Sequence, residues 1–185
     1  MAVAPFEIIS GPGDVWLAPY GTAFPVINAA PISPWVALGR TEGGVTVRHT
    51  QSVELLMADQ DTAPVKAIRS EDGMEIEFQL VELTLEKYRF AINNASVVTA
   101  AGPPAIKYIE LWRGPEVTPH AIVVRGPSAY GNFNCQYQVP MVVQTEEPEV
   151  SFVRDDKAVL NSVFTALADL ASPSSRFGRL IHQTA

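Results

Sequence analysis

Two carboxylates, Glu75 and Glu77, are the residues of this chain best spaced for acid–base work. They lie in the alternating run Met74-Glu75-Ile76-Glu77-Phe78-Gln79-Leu80. A strand would therefore hold both on one face, roughly 7 Å apart along the backbone. Paired carboxylates on one sheet face are what a glycosidase cleft needs, one as acid and one as base or nucleophile. Such clefts also carry aromatic platforms, and the same polar face here offers only Gln79 and Arg69. A solvated strand face explains the pair better than catalysis does.

Other reactive constellations are missing from the sequence. His49, His120 and His182 lie far apart, and none has a partner at metal-ligand spacing. The one cysteine, Cys135, excludes an internal disulfide and suits the apolar side of a strand. No Cys-x-x-Cys, His-Glu-x-x-His, Gly-x-Ser-x-Gly or phosphate-cradling glycine loop occurs. Gly11-Pro12-Gly13 is only a turn, because proline removes an amide that an anion would need. Asp59 and Asp61 lack the glycine and distal glutamate of a calcium loop, and read as solvated turn carboxylates. The expectation is a protein with no enzymatic activity, no cofactor and no metal.

The whole chain supports that expectation. Its 185 residues, 47% hydrophobic and 18% charged, suit one folded domain. Fifteen prolines and twelve glycines cut the chain into short pieces, as an all-β protein requires. A net charge of −7 argues against a DNA-gripping surface, which needs clustered lysine and arginine. Met1–Ser10 has no basic, apolar pattern of a signal peptide, and no run approaches the ~20 apolar residues of a membrane span. A cytosolic origin and no membrane binding by this chain are expected.

The elements that must position these residues are organised around Gly43–Asn93. From Val45 to Met57 the odd positions are largely apolar, whereas Thr46, Arg48, Thr50, Ser52 and Glu54 form a wet face. Met74 to Leu80 repeats the alternation. Between these strands Ala58–Pro64 is polar and acidic, the pattern of an exposed hairpin tip, and Asp72-Gly73 signals a second turn or a bulge. Val81, Leu85, Tyr88 and Ile92 then form an apolar stripe on a helix over about 82–93, stopped by Asn93-Asn94. Upstream, Val15–Ala18 and Trp35–Leu38 read as short strands, and Pro25, Pro31 and Pro34 exclude a helix between them. Downstream, Ala100–Pro104 separates two halves, and Ile106–Trp112 with Ala121–Arg125 suggests a hairpin. Phe133, Cys135, Tyr137 and Val139 alternate with Asn132, Asn134, Gln136 and Gln138. Pro140 within that strand implies an edge position or a bulge. Val150–Val153 reads as a strand turned at Asp155-Asp156. Periodicity leaves Leu160–Leu170 open between helix and strand. The tail from Ser172 to Ala185 reads as an arm that orders only against a neighbour. The domain division is thus one β domain over 1–171, with an N-terminal arm over about 1–13, a projecting loop over about 58–64, and a C-terminal arm over 172–185.

The run TEGGVTVRHTQSVELLMADQDTAPVKAIRSEDGMEIEFQLVELTLEKYRFAIN, Thr41 to Asn93, resembles the major tail-tube proteins of long-tailed (siphovirus-type) bacteriophages. The order of motifs is similar across most of the chain. GPGDVWLAPYGTAFP comes first, then Trp35 to Gly39, EGGVTV, Pro64-Val65-Lys66, Leu80 to Glu86, EPEVSFVRDD and VFTALAD. The segment Pro25–Pro34 and the arginine-bearing tail depart from the pattern.

That resemblance implies a β-sandwich with one flanking short helix, closing as a hexameric ring with a continuous inner β-barrel. Rings would stack on a tape-measure protein into a tube within the virion, assembled in the host cytoplasm, through which viral DNA passes without specific binding. Kinship would extend to contractile-tail tubes and type VI secretion tubes. It also implies a strand over Ser162–Ala168. On this reading Thr46, Arg48, Thr50, Ser52, Glu54, Glu75, Glu77 and Gln79 line the channel, with Arg48 neutralised by a neighbouring glutamate. Asp59, Gln60, Asp61 and Thr62 would reach the next ring. Six copies at −7 give roughly −42 per ring, so a mostly acidic wall would repel phosphates. The alternatives are another tail component of the same fold, a tail-completion or distal-tail protein, or a β-sandwich glycosidase or carbohydrate-binding domain.

Overall fold

The computed structural model describes residues 8–184 apart from 95, 113, 151, 153, 155, 156 and 173–175. Short β-branched and aromatic runs between proline and glycine breaks form its strands. The first half holds β1 (Asp14–Pro19), β2 (Val36–Ala37), β3 (Thr41–Leu56) and β4 (Lys66–Leu80), followed by helix α1 (Leu85–Ala91). After them come β5 (Val98–Ala100), β6 (Ile106–Tyr108), β7 (His120–Pro127), β8 (Asn134–Gln144), β9 (Leu160–Ala166) and β10 (Arg179–His182).

The main sheet runs β2-β1-β7-β8-β9-β4-β3, all antiparallel, and β10 pairs with β8. Its two ends do not pair, so among the described residues β3 is left as a long open edge. Along β8, residues 135–138 pair with β10 and residues 142–144 with β9, so these two strands follow one another on the same edge. Apolar side chains from β1, β4, β7, β8 and β9 meet in one core around Leu17, Ile76, Phe78, Ile122, Leu160 and Phe164. Phe78 and Phe164 stack there at 5.7 Å. Helix α1 closes one side with Phe90, Ala91 and Ile92. Its deepest residues are thus not the whole predicted stripe, since Val81, Leu85 and Tyr88 are only half-buried. The helix is also shorter than expected, because Val81 is still bound to the Arg40 carbonyl and Asn93 turns the chain with φ 51°.

Several local expectations are corrected by non-local pairing. Ile106–Tyr108 pairs with Val98–Ala100, making Ala101–Ala105 a hairpin turn, while β7 pairs with β1 and β8. Asp72 and Gly73 are ordinary strand residues opposite Gln51 and Thr50. The irregularity lies at Ser70, which has no partner because Ser52 faces Glu71 and Val53 faces Arg69. Pro140 does sit at a bulge, where Pro140 and Met141 oppose Ala121 alone. Leu160–Ala166 is a strand, pinned between β4 and β8. In the tail, residues 179–182 pair with β8 of the same chain, so this segment does not wait for a neighbour. Of the expected Val150–Val153 strand, Val150 bridges Leu160; Ser151, Val153 and the Asp155-Asp156 turn lie outside the described residues, as do residues 1–7 of the N-terminal arm.

The polar side of β8 is buried rather than wet. Gln136 and Gln138 donate to the Pro25 carbonyl at 3.1 and 3.3 Å, and Asn134 donates to Ile27 at 3.2 Å. Arg125 donates to the carbonyls of Ala29, at 2.8 Å, and Ile27. The proline-rich segment 20–35 is therefore a strap laid over the sheet, and its carbonyls replace the water those amides would have bound.

Candidate functional site: an acidic sheet face

Alternation on β3 and β4 sets up the site. Val45 faces Phe78, Val47 faces Ile76 and His49 faces Met74 on the core side, so the partners between them share the other face. There Thr46 lies opposite Glu77, Arg48 opposite Glu75 and Thr50 opposite Gly73. The Arg48 guanidinium reaches Glu75 at 3.5 Å and Glu77 at 3.6 Å, so the neutralisation expected for Arg48 is present. Arg48 and Glu77 are largely solvated and Glu75 is half-buried, and such surface pairs add little to stability. Ser52 donates to Glu71 at 3.0 Å one step further out.

β9 extends this face, since Thr165 lies opposite Glu75, Val163 opposite Glu77 and Asn161 opposite Gln79. The β8–β9 connection adds Thr145, Glu146, Glu147 and Glu149. Together they line an open groove of about 580 Å³. Its five glutamates, Glu75, Glu77, Glu146, Glu147 and Glu149, outnumber the single Arg48, so the groove is strongly negative.

The structure thus brings Arg48, Glu75, Glu77 and Gln79 into one groove, with Thr46, Thr50 and Ser52 continuing the same face. Glu54 stands apart. It lies beyond the Ser70 bulge, opposite Ile68. Asp59, Gln60, Asp61 and Thr62 sit at the exposed hairpin end, where the Asp61 amide bonds Ala58 and Val65 bonds Leu56. Sequence reasoning missed Asn161, Val163 and Thr165, whose shared face needed the strand assignment, and the acidic run at Glu146-Glu147, whose sign was the available signal.

The apolar face of the β3–β4 hairpin differs from expectation too. Only its inner part is covered, and from His49 outward both strands are exposed apart from a few half-covered residues. β9 pairs with β4 only from Glu75 to Leu80, so among the described residues no strand but β3 pairs with the outer half of β4. The hairpin therefore projects from the domain with Val53, Leu55, Leu56, Met57, Val65 and Ile68 in solvent.

As a catalytic cleft the groove is poorly furnished. The aromatic residue bordering it, Phe78, is buried and stacked on Phe164. His49, His120 and His182 lie on β3, β7 and β10, and among the described residues no three His, Cys, Asp or Glu side chains converge as a metal site. Cys135 is buried on β8, with Sγ 3.5 Å from His182 Nε2, and burial pushes its thiol pKa up.

These features define a mainly β, sandwich-type protein with one flanking short helix, an unclosed sheet and a projecting hairpin. A family model described as phage tail tube protein matches residues 4–177, and the chain belongs to that family. No curated protein matches the chain. It is accordingly a structural protein of the phage virion tail, of a kind that assembles with itself and other tail proteins into a tube. No described helix is long and apolar enough to cross a membrane.

Proposed function

We propose that this chain is the major tail tube subunit, polymerising as stacked hexameric rings whose inner wall is the acidic sheet face. The observation that carries the reading is the coincidence of that face with an open edge. The strands bearing Thr46, Arg48, Thr50, Ser52, Glu75, Glu77 and Gln79 end at β3, whose 16 residues have no strand partner on their outer side among the described residues. An open edge of that length is a hazard unless another chain pairs with it. Pairing around a ring would use up the edge and join the wet faces into one barrel interior.

The wall works by non-adhesion. DNA carries a charge every ~1.7 Å of axis, and carboxylates facing it exclude close ion pairing. Screening within ~8 Å at physiological salt keeps the repulsion short-ranged, so the duplex is held off the wall without being expelled from the bore. Arg48, tied to Glu75 and Glu77, is not offered to phosphate. The tape-measure protein would occupy the channel before the genome, and assembly would take place in the host cytoplasm.

Negative-stain microscopy across a concentration series tests the reading. Hollow tubes of stacked rings are expected. Rings that never extend would point instead to a tail-completion or distal-tail protein. A strict monomer, even with tail-tip and tape-measure proteins added, would overturn it.

A further inference from the structure

The Ser70 bulge divides the hairpin into two parts of different character. Inside it, one face enters the core from Met74 inward and the other is polar. Outside it, Val53, Leu55 and Ala67 keep to the core-side face, but β4 has lost its phase, and Ile68 joins Leu56 on the face that carries Glu54. The outer hairpin thus exposes apolar side chains on both sides, beside Arg69 on one and Glu54 and Lys66 on the other, with Leu55 and Met57 each 61% exposed. A blade with apolar side chains exposed on both faces fits neither a channel wall nor bulk water.

The same chain carries a matching recess. The strap forms an apolar groove of about 430 Å³ lined by Phe24, Pro25, Val26, Ile32 and Trp35, with Ile32 78% exposed. It is rigid, because Arg125, Asn134, Gln136 and Gln138 hold its carbonyls and Trp35 Nε1 donates to Ala23 at 3.0 Å. A preformed groove costs little ordering on binding. Arg179 borders the strap beside Phe24 and Val26, opposite in charge to Asp59 and Asp61 at the blade end.

We infer that the strap groove is the receptor for the hairpin blade, residues 53–69, of a second copy of this chain. Blade and groove lie toward opposite ends of the strand order, β3–β4 and β1–β2. The contact is therefore heterologous and propagates from copy to copy. The inference rests on the tube reading and names the contact that reading leaves open. It also moves Glu54 from the channel wall to the interface.

The test joins blade to groove chemically in the full chain. The double variant Leu55→Cys/Ile32→Cys, assembled and treated with a short bismaleimide, is expected to give a ladder beyond dimer on a denaturing gel. Each single variant should lack that ladder, Cys135 being buried. Ile32→Asp, checked for an unchanged circular dichroism spectrum, should raise the concentration needed for tubes by about tenfold or more. Tubes with no ladder, or Ile32→Asp assembling at the wild-type concentration, would overturn this contact while leaving the tube reading standing. Should the double variant not assemble, the Ile32→Asp result decides alone. Wild-type protein that stays monomeric with its tail partners would remove both.

Discussion

His120 should make the fold acid-labile by an amount that can be isolated. Its side chain is 2% exposed at the start of β7, the ring meets Phe90 edge-on at 4.9 Å, and Nδ1 is buried without a hydrogen-bond partner. Burial, and secondarily the Arg89 charge, lower its pKa from 6.5 to about 4. The folded state therefore binds this proton less readily than the unfolded chain. Stability is intact above the unfolded pKa and falls as pH drops from 6.5 towards 4. At 1.36 kcal/mol per unit, the loss approaches about 3 kcal/mol. Carboxylates titrate over the same range, so the measurement is a difference. Urea unfolding of dilute wild-type protein and His120→Leu at pH 7 and pH 4 gives a stability gap at each pH. Moving from pH 7 to pH 4, that gap should shift by about 3 kcal/mol in favour of the variant, because the carboxylate terms are common to both. A gap that stays constant within ~0.5 kcal/mol would refute the reasoning.

Four further outcomes follow from the geometry. Gly178→Ala should destabilise by about 1–3 kcal/mol, because φ is 92° there and a Cβ would run into the Gln138 carbonyl; faster amide exchange in β10 would show it. Phe164→Ala should cost about 3–5 kcal/mol by emptying the stack on Phe78, read as a lowered urea midpoint. Glu75→Gln/Glu77→Gln should change monomer stability by less than ~1 kcal/mol, since both pair with Arg48 at the surface. If those carboxylates face the channel, Glu75→Lys/Glu77→Lys should instead leave tubes intact and slow DNA ejection from assembled particles.

Much of this was legible in the residues. Period-two alternation gave β3 and the inner half of β4, and the polar set Thr46, Arg48, Glu75 and Glu77 shares a face because alternation is a property of any extended chain. The proline content of 25–34 excluded a helix, and the Ala58–Pro64 composition marked the hairpin end. The order of motifs along the chain points to the tail-tube family without the fold. Beyond the β3–β4 hairpin, pairing was not legible, because a strand carries its faces in its own sequence but not the identity of its neighbours. Only the fold decided that β7 lies against β1 rather than Ile106–Tyr108, and that Asn161, Val163 and Thr165 complete the acidic face; periodicity leaves Leu160–Leu170 open, and the strand there is implied only by the family resemblance. Only the fold buried Gln136 and Gln138, whose polarity reads as solvent exposure until a strap of carbonyls lies over them. It alone showed the outer apolar face of the hairpin standing uncovered. Hydrophobicity states that a side chain leaves water, and tertiary structure decides whether its own chain or another provides the cover.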